Sequence, residues 1–391
     1  MDNEISGSEM DMLLSVVMPC LNEEKTIGIC IKKAREAIKN MGIKGEVVVA
    51  DNGSTDNSVN IAVSLGARVV HQDKKGYGMA LIKGIKESKG RYVIIGDSDD
   101  SYDFSRIEDF LKKLTEGNDV VMGSRLRGSI EPGAMSLSHR IGNPVMTWLL
   151  NLLFNTGVSD INCGMRAFSK DAFQKMELKH AGMEFASEFV IRASKERLRM
   201  SEVPIHYYRA GRNRPPHLRT FKDGWRHLRF MLIYSPSLAY LFPGVIIFTL
   251  GFLILGRGLY APFRLGPVVI DYHFNFLGSL AVIIGFQLCT TGLFARSFAY
   301  IRGFDKYDIF IERFIRNFSL ERGAILSIAL MGLSMLFFGI ILFKWLASGF
   351  GPLAETRNAI TAVTLFILGF QYLTFSFFIS MLLMDYDKKD D

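Results

Sequence analysis

Cysteine is scarce in this chain, with only four among 391 residues. The four form no Cys-x-x-Cys pair and none of the spacings that zinc sites require. This scarcity argues against a disulfide framework or a structural zinc site, and it predicts reduced, apolar thiols in a cytosol-facing protein. These residues are Cys20, Cys30, Cys163 and Cys289.

Charged residues are also sparse, at 22% of the chain, whereas hydrophobic residues make up 49%. The charges crowd into the first part of the chain, which predicts a soluble domain fused to a membrane domain. The first twelve residues are acidic and polar, unlike a signal peptide. The net charge of +7 permits an anionic membrane surface or nucleic acid as partner. Because the basic residues cluster beside apolar segments, we expect no nucleic acid.

Four long apolar segments occupy the last part of the chain, and each has about the twenty residues that a helix needs to cross a bilayer. Their few polar residues, notably Gln287 and Gln371, are expected to face other helices. Lys and Arg crowd before the first segment and between the second and third. This bias predicts that the soluble domain, the central connection and the C-terminal tail are cytoplasmic. The membrane would be the cell membrane if the source is a prokaryote. The segments are residues 238–255, 276–294, 324–343 and 359–384.

Two further apolar segments are too short to span a bilayer. Residues 145–154 include Trp148, and residues 221–234 place Trp225 on an apolar stripe beside basic residues. Both are candidates for helices in the plane of the membrane interface, and the alternative is an ordinary core helix. The interface is favoured for the second because it leads directly into the first span.

Upstream of these segments, strand-like apolar runs alternate with amphipathic helical stripes. Leu13–Met18 predicts a buried first strand, and Ile27, Ile31, Ala34 and Ile38 recur at helical spacing. The alternation predicts an α/β fold with a mostly parallel sheet covered by helices. Sites in such sheets lie at the carboxyl ends of the strands, so the polar turns there are expected to converge. These turns are residues 19–23, 51–56 and 97–103.

The third turn follows the apolar run Tyr92–Ile95 and holds four carboxylates within seven positions. A strand that delivers Asp97 and Asp99 at its carboxyl end is suited to hold Mg²⁺ or Mn²⁺, which prefer carboxylate and phosphate oxygens. The alternative is an acidic turn with a solvated face. The sequence leaves open which of Asp97, Asp99, Asp100 and Asp103 contact the ion.

Six motifs follow one another along the chain. They are Val16–Pro19 with Asn22 and Glu23, Asp51–Asp56, Lys75–Gly78, Asp97–Asp99, Gly123–Arg125 and Asp160–Arg166. In this order they resemble family 2 glycosyltransferases of the GT-A fold. More narrowly, they are similar to dolichyl-phosphate mannose and glucose synthases and to bacterial polyprenyl-phosphate glycosyltransferases. A lone Asp-x-Asp is a weak signal, but the ordered set is specific and covers roughly residues 13–230.

The resemblance implies a nucleotide-sugar donor. Asp99 would hold a metal that bridges the diphosphate, with Asp97 close by, and the cation would stabilise the leaving nucleoside diphosphate. Two positions depart from the family pattern. Asn52 stands where a second aspartate is common, and Ser101 stands where the mannose synthases often carry a glutamine. The residues expected on the donor side are Pro19, Glu23, Asp51, Gly76 and Asp97.

The resemblance also implies an acceptor site for a lipid phosphate. Arg125 and Arg140 match basic residues that hold this phosphate, and a guanidinium can bind a phosphate in two-pronged fashion. The alternative for each is a surface cation. Residues 208–217 form a basic, proline-containing loop, which is expected to be a lid whose Arg209 and Arg212 meet the diphosphate or lipid phosphate. The alternative is a charged linker near anionic lipids.

Two further residues match the family. Glu188 is expected to position the sugar or to have a structural role, and Arg166 ends the sixth motif. No general base is assigned, because a phosphate acceptor is already mostly ionised near neutral pH and acts as its own nucleophile.

The resulting prediction is a metal-dependent, inverting membrane glycosyltransferase. It would move one hexose from a nucleotide sugar, of the GDP-mannose or UDP-glucose type, to polyprenyl or dolichyl phosphate at the cytoplasmic face of the lipid bilayer. A processive polysaccharide synthase is an alternative, but the chain lacks a Gln-x-x-Arg-Trp motif. A non-catalytic membrane protein with a nucleotide-binding domain is another.

The sequence predicts five parts along the chain. They are a polar tail (1–12), a GT-A catalytic domain (13–219), an amphipathic interfacial helix (220–234), a four-helix transmembrane domain (235–385) and a cytoplasmic tail (386–391).

Overall fold

The computed structural model describes residues 12–211, 220–258, 263–265, 268–270, 272–302 and 308–387. The chain divides into two compact units, Met1–Met231 and Leu232–Asp391. The first is an α/β domain and the second is mainly helical. The predicted lid residue Arg212 and most of both predicted tails lie outside the described residues.

Within the described part of the first unit, seven strands form one sheet. They are β1 Leu14–Cys20, β2 Gly45–Asp51, β3 Arg68–His71, β4 Tyr92–Ile95, β5 Val120–Ile130, β6 Arg166–Ser169 and β7 Met200–Tyr207. The order across the sheet is β3-β2-β1-β4-β6-β5-β7. Only β6 runs antiparallel to its neighbours β4 and β5 among these strands. The predicted mostly parallel α/β sheet is therefore confirmed.

The central strand β1 extends two residues further than predicted and takes in Pro19. Beyond Val17 it pairs only with β2, because its pairing with β4 stops there. A residue without an N–H is tolerated where the strand lacks a partner on one side. The apolar part of the strand is buried, with Val16 to Met18 fully enclosed.

The helices of the first unit bury the stripes that periodicity predicts. Ile27, Ile31, Ala34 and Ile38 of the first helix are all 7% exposed or less. The helices are α1 Ile27–Asn40, α2 Ser58–Ser64, α3 Tyr77–Glu87, α4 Ile107–Thr115, α5 Leu137–Phe154, α6 Lys170–Met176, α7 Phe185–Lys195 and α8 Thr220–Tyr234.

Helix α5 buries two polar side chains beside Leu150 and exposes an apolar face. Asn143 and Thr147 face inward, and Asn143 Oδ1 accepts a hydrogen bond from Asn162 Nδ2 at 2.9 Å. The exposed apolar residues recur at spacings of four, four, three and four, so they share one face. They are Leu137, Ile141, Val145, Trp148 and Leu152. This face favours the interface interpretation of residues 145–154.

Helix α8 packs one face on the first unit and exposes another. Phe230 and Met231 are buried, and His227 Nδ1 lies 2.7 Å from Ser187 Oγ. Trp225 is 61% exposed. The placement of this helix in the membrane interface stays a prediction.

Within the described residues of the second unit, four helices are long and apolar enough to cross a membrane, as predicted. They cover Ser237–Gly258, His273–Ile301, Leu320–Ala347 and Thr356–Met384. The elements of this unit are α9 Phe242–Gly258, a short hairpin of β8 Phe263–Leu265 and β9 Val268–Ile270, α10 Tyr272–Ile301, α11 Ile309–Asn317, α12 Leu320–Ala347 and α13 Thr356–Asp387.

Polar side chains within the spans pair between helices. Gln371 Nε2 donates to Gln287 Oε1 at 3.0 Å, and the hydroxyls of Ser279 and Thr364 lie 2.6 Å apart. Such interhelical bonds contribute about 0.6–2 kcal/mol each in membranes. They fix α10 against α13, as predicted for the two glutamines.

Candidate functional site

The turns after β1 and β2 are joined by hydrogen bonds. Asn22 N donates to Ser54 Oγ at 3.0 Å, and Asn22 Oδ1 accepts from Thr55 N at 2.7 Å. Asn22 adopts a φ of 59°, which asparagine tolerates better than most residues. Glu23, 8% exposed, donates its backbone N–H to Ser58 Oγ at 2.8 Å. These two polar turns therefore form one surface.

The acidic turn after β4 joins the same edge of the sheet. Ser98 Oγ donates to the carbonyl oxygen of Pro19 at 2.6 Å. This bond links the third turn to the first, so the convergence expected from strand order is observed. Pro19 contributes its backbone to the site and its ring to the end of β1.

Asp51 is 3% exposed, and protein groups bind both of its carboxylate oxygens. Oδ1 accepts from Ser54 N at 3.1 Å, Oδ2 accepts from Gly53 N at 3.1 Å, and His71 Nδ1 lies 3.2 Å from Oδ2. Burial would raise the pKa of Asp51, but the hydrogen bonds from Ser54, Gly53 and His71 outweigh it and lower the pKa. Asp51 is thus an anion that fixes its turn.

The side-chain amide of Asn52 holds the loop that carries Gly76. Nδ2 donates to the carbonyls of Gln72 and Lys74 at 2.9 Å each, and Oδ1 accepts from Gly76 N at 2.7 Å. An aspartate at this position would lack the two donors. Gly76 has a φ of 145°, and a Cβ there would lie 2.3 Å from the carbonyl oxygen of Ala181. The departure at Asn52 therefore serves the loop.

The Asp97 carboxylate lies between two segments that are distant in sequence. Tyr77 Oη, at the start of α3, donates to Asp97 Oδ1 at 2.8 Å. Burial and the neighbouring carboxylate raise the pKa of Tyr77 well above its ordinary value, so the phenol keeps its proton. On the other side, a Cβ at Gly164 would lie 2.7 Å from Asp97 Oδ2. Close contact thus holds this carboxylate in place.

Asp99 is 6% exposed and is oriented by the residue that departs from the family pattern. Its Oδ1 accepts from Ser101 N at 3.1 Å and from Ser101 Oγ at 2.5 Å. The backbone of the same turn binds the segment that leads to the predicted lid. Gly211 N donates to the Asp99 carbonyl at 3.0 Å, and Tyr208 N donates to the Ser101 carbonyl at 3.0 Å.

The other two carboxylates of the turn have different partners. Asp100 Oδ1 accepts from Lys33 Nζ at 2.7 Å, and Asp100 has a φ of 61°. Asp103 Oδ1 accepts from Ser105 N at 3.0 Å and from its hydroxyl at 2.7 Å, which caps the short helix that follows. Asp103 thus has the same kind of serine contacts as Asp99, whereas Asp100 is paired with a lysine. The assignment of Asp97 and Asp99 as metal ligands stays a prediction.

Asp97 and Asp99 supply hard oxygen donors of the kind that Mg²⁺ and Mn²⁺ bind. Within the described residues, no group of three His, Cys, Asp or Glu side chains is arranged to hold a metal ion. A divalent ion at this turn would need further oxygens from a substrate or from water, as is usual for Mg²⁺ bound with phosphates. The donor set fits an ion that binds together with a diphosphate.

Arg125 forms a buried, two-pronged ion pair with Asp160. Nε donates to Asp160 Oδ2 at 2.7 Å and Nη2 donates to Oδ1 at 2.8 Å. The guanidinium also lies over the ring of Tyr207, 5.1 Å from its centroid. Nη1 has no hydrogen-bond acceptor among the described residues. Asp160 thus orients Arg125 while one of its nitrogens stays available.

Arg166 is 1% exposed and binds three backbone carbonyls. Nε donates to Cys163 at 2.9 Å, Nη1 to Ala186 at 3.0 Å and Nη2 to Ile161 at 2.8 Å. Burial lowers the pKa of Arg166. Its role in this geometry is to hold the loop that carries Gly164 against the start of α7.

Glu188, 1% exposed, orders a second loop. Its carboxylate accepts from Lys179 N at 3.1 Å and from His180 N at 2.9 Å. The next carbonyl, of Ala181, accepts from Gly78 N at 2.9 Å, so this loop packs on the Lys75–Gly78 motif. These contacts support the structural one of its two expected roles.

The two remaining predicted acceptor arginines that the structure describes, Arg140 and Arg209, lie at exposed positions. Arg140 is on the second turn of α5, and Arg209 donates its backbone N–H to Glu131 Oε2 at 2.7 Å. Among the described residues, neither guanidinium contacts Asp97 or Asp99. The acceptor roles of Arg140, Arg209 and Arg212 stay predictions.

Sequence reasoning missed Tyr77, Gly164 and Asp160 as individual site residues. All three lie inside motifs that the sequence singled out. The available signals were a tyrosine between two glycines and a short motif that holds an aspartate, a glycine and an arginine. The partner of each depends on the tertiary fold.

Two family models match the chain. Residues 15–177 match the model described as glycosyl transferase family 2, and residues 293–383 match the family 2 C-terminal transmembrane region. The low-salt glycan biosynthesis hexosyltransferase Agl6 of Haloferax volcanii is 38% identical over 380 residues, which cover 96% of this chain and 91% of that protein. The dolichyl-phosphate hexose transferase of the same organism is 32% identical over 195 residues, 50% of this chain and 82% of that protein.

Solved structures with a similar fold include glucosyl-3-phosphoglycerate synthase from Mycobacterium tuberculosis in complex with Mn²⁺, UDP and glucosyl-3-phosphoglycerate. It is 25% identical, with a TM-score of 0.46, and the match covers 57% of this chain and 80% of that one.

Replacing Gly164 with alanine is expected to destabilise the first unit by about 1–3 kcal/mol, as overpacking does in other cores. A Cβ at position 164 would lie 2.7 Å from Asp97 Oδ2 and 3.1 Å from Tyr102 Oη, so these groups must shift. Thermal unfolding of the full chain in detergent micelles measures the effect.

Gly142→Ala is the matched control. A Cβ at this position of α5 meets nothing within 4 Å, and alanine has the higher helix propensity. Equal unfolding temperatures for the Gly164 and Gly142 variants would contradict the close contact with Asp97.

Proposed function

Because the chain belongs to glycosyltransferase family 2, we propose that it moves one hexose from a nucleotide sugar to the phosphate of a polyprenyl or dolichyl lipid. The observation that carries this proposal is the Asp97–Asp99 turn, in which Asp99 is buried and Ser98 is bonded to the end of β1. Similarity to a hexosyltransferase and a dolichyl-phosphate hexose transferase supports the hexose and the lipid phosphate. The donor is of the GDP-mannose or UDP-glucose type.

The donor lies on the joined turns after β1, β2 and β4. Its base and ribose contact Pro19, Glu23 and Asp51, and its diphosphate reaches the loop at Gly76. Support comes from the bonds that merge these turns into one surface and from the anionic state of Asp51. The carboxylate of Asp51 suits ribose hydroxyls, which are donors.

Asp97 and Asp99 would hold Mg²⁺ or Mn²⁺, and the ion would supply Lewis-acid stabilisation of the charge on the leaving nucleoside diphosphate. The hydroxyls of Tyr77 and Ser101 each donate a hydrogen bond to one of these carboxylates. These bonds fix the orientation of the two carboxylates before an ion binds.

The lipid phosphate is the nucleophile. One of its oxygens bonds to the anomeric carbon while the bond from that carbon to the diphosphate breaks, and the configuration inverts. No protein base is needed, because this phosphate is mostly ionised near neutral pH. Arg125 binds the phosphate through Nη1 while Asp160 holds the other edge of the guanidinium. Arg140, Arg209 and Arg212 bring further positive charge to the acceptor.

The membrane supplies the acceptor. We assign the first unit, the connection between α10 and α12 and the C-terminal tail to the cytoplasm, on the distribution of Lys and Arg. The apolar face of α5 contacts lipid, because that face is exposed while polar Asn143 and Thr147 are buried.

Asp99→Ala is expected to lower sugar transfer by about a hundredfold or more, as loss of a charge-stabilising group does in other enzymes. Membranes are incubated with radiolabelled nucleotide sugars and polyprenyl phosphate, and label in the lipid phase is counted. Asp109→Ala, which removes a carboxylate of α4 that pairs with Arg106, is expected to keep its activity. Full activity of Asp99→Ala with the metal chelated would refute the metal role.

Arg125→Ala is expected to raise the apparent KM for lipid phosphate more than the KM for the nucleotide sugar. The variant removes the nitrogen assigned to the phosphate and leaves the donor turns intact. Steady-state kinetics with each substrate varied in turn gives both constants. Equal rises in the two constants would remove the acceptor assignment.

A tag fused after Asp391 is expected to stay unlabelled by a membrane-impermeant reagent applied to intact cells. Four spans return the chain to its starting side, so the tag and the first unit share the cytoplasm. Labelling of the tag from outside, with a cytoplasmic marker protein unlabelled, would show that the orientation is wrong.

Trp148 is expected to be quenched by bromine carried on lipid acyl chains. The measurement uses a variant in which Trp225 and Trp345 are phenylalanine, so that Trp148 is the only tryptophan, and its emission is excited selectively. Quenching equal to that in vesicles of unbrominated lipid would place the α5 face outside the bilayer.

A further inference from the structure

The second unit contains a cavity of about 460 Å³ between α11, the start of α12 and α13. Its walls have two kinds of chemistry. Two arginines, an asparagine and a serine form the polar wall, and aromatic rings form the apolar wall. The polar wall contains Arg313, Asn317, Ser319 and Arg322, and the apolar wall contains Phe318 and Tyr372.

Neither of the two arginines forms an ion pair with a carboxylate among the described residues. Arg313 and Arg322 are exposed, and the one hydrogen bond from either guanidinium joins Arg322 Nη1 to the carbonyl of Asn317 at 3.3 Å. By contrast, Arg296 of the same unit pairs with Asp308 at 2.6 Å. The cavity therefore presents two guanidiniums with donors available for an anion.

The position of Arg322 is unfavourable for the helix alone. It lies in the first turn of α12, where Ser319 caps the helix by accepting from Arg322 N. A cation at a helix N-terminus is repelled by the positive end of the helix dipole. A bound anion would offset both positive charges.

The apolar wall is a chain of packed aromatic rings. Phe314 and Phe318 have centroids 5.4 Å apart, Phe318 lies 6.4 Å from Phe375, and Phe375 lies 6.1 Å from Tyr372. Beside these rings α12 approaches α13 closely, since a Cβ at Gly323 would lie within 3 Å of the Ser376 side chain. The rings therefore border the point where the apolar span begins.

We propose that this cavity binds the phosphate group of a phosphate-bearing lipid, with Arg313 and Arg322 on the phosphate and the hydrocarbon chain along the aromatic wall. A guanidinium offers paired donors that match phosphate oxygens. The apolar wall distinguishes a lipid from free phosphate. The site lies in the second unit, uses none of the residues assigned to sugar transfer, and does not depend on the proposed reaction.

General attraction of basic loops to anionic membranes is the competing explanation. Arg316 distinguishes this explanation from a defined site, because it lies exposed on the same helix α11 and does not line the cavity. A diffuse attraction is weakened equally by loss of any of the three arginines. A defined site is weakened only by loss of Arg313 or Arg322.

The test is native mass spectrometry of the full chain titrated with dioctanoyl phosphatidic acid. We expect Arg313→Gln and Arg322→Gln to weaken one equivalent of binding by about tenfold, and Arg316→Gln to leave it unchanged. Dioctanoylglycerol, which has the same chains without phosphate, is expected to bind far less. Equal loss in all three variants, or no loss in any, overturns the proposal.

Two further arms complete the experiment. Inorganic phosphate is expected to compete only weakly, and competition as strong as that of phosphatidic acid would mean that the site takes free phosphate and would overturn the lipid assignment. Photoactivatable phosphatidic acid is expected to cross-link peptides of α11 and α12 in the unmodified chain. Absence of those cross-links overturns the proposal even where a variant fails to fold.

Discussion

The hydrogen bond from Tyr77 to Asp97 is the constraint around which the catalytic unit is organised. It joins the start of α3 to the end of β4, and Gly164 closes the other side of the same carboxylate. Because burial holds the pKa of Tyr77 well above its usual range, this bond keeps its direction throughout the physiological pH range. Glu188 and Arg166 order the two loops that pack on these segments, and this role requires no contact with a substrate. The two loops fix the backbone around the Asp97 carboxylate.

Buried charges in this unit act mainly as positioning groups. The Arg125–Asp160 pair is almost fully enclosed, and removing one partner of such a pair typically costs about 3–5 kcal/mol, because the other charge is left buried. An equally stable apolar pair would pack the space but would leave no cation beside Tyr207. The buried pair therefore costs the desolvation of both ions, and it gives the guanidinium a fixed orientation. An exposed arginine would bring the same charge without this fixed orientation.

The sequence was sufficient for the strand–helix alternation, the four spans and the convergence of the polar turns, because each depends on local periodicity and on the rule for parallel strand ends. It was insufficient for β6, whose four residues begin with a buried arginine and carry no alternating pattern. Its antiparallel position between β4 and β5 depends on its pairing partners, and those in β4 lie 70 or more residues away in the sequence. The roles of Asn52 and Ser101 also required the structure. Both departures from the family pattern form hydrogen bonds within the site, to loop carbonyls and to Asp99, which no spacing argument could identify.

The proposed contact of helix α5 with lipid would add a second attachment to the membrane beside the spans. Its five exposed apolar side chains are 55–73% exposed. Full burial of such a side chain is worth about 1.5–3 kcal/mol, so partial transfer of five into lipid amounts to about 5 kcal/mol or more. That is comparable with the whole folding stability of an ordinary domain, about 5–15 kcal/mol. Because Asn162, which follows the Arg125 partner Asp160 by two residues, bonds to Asn143 on the opposite face of α5, a helix held at the lipid surface would hold the acceptor side of the site there as well.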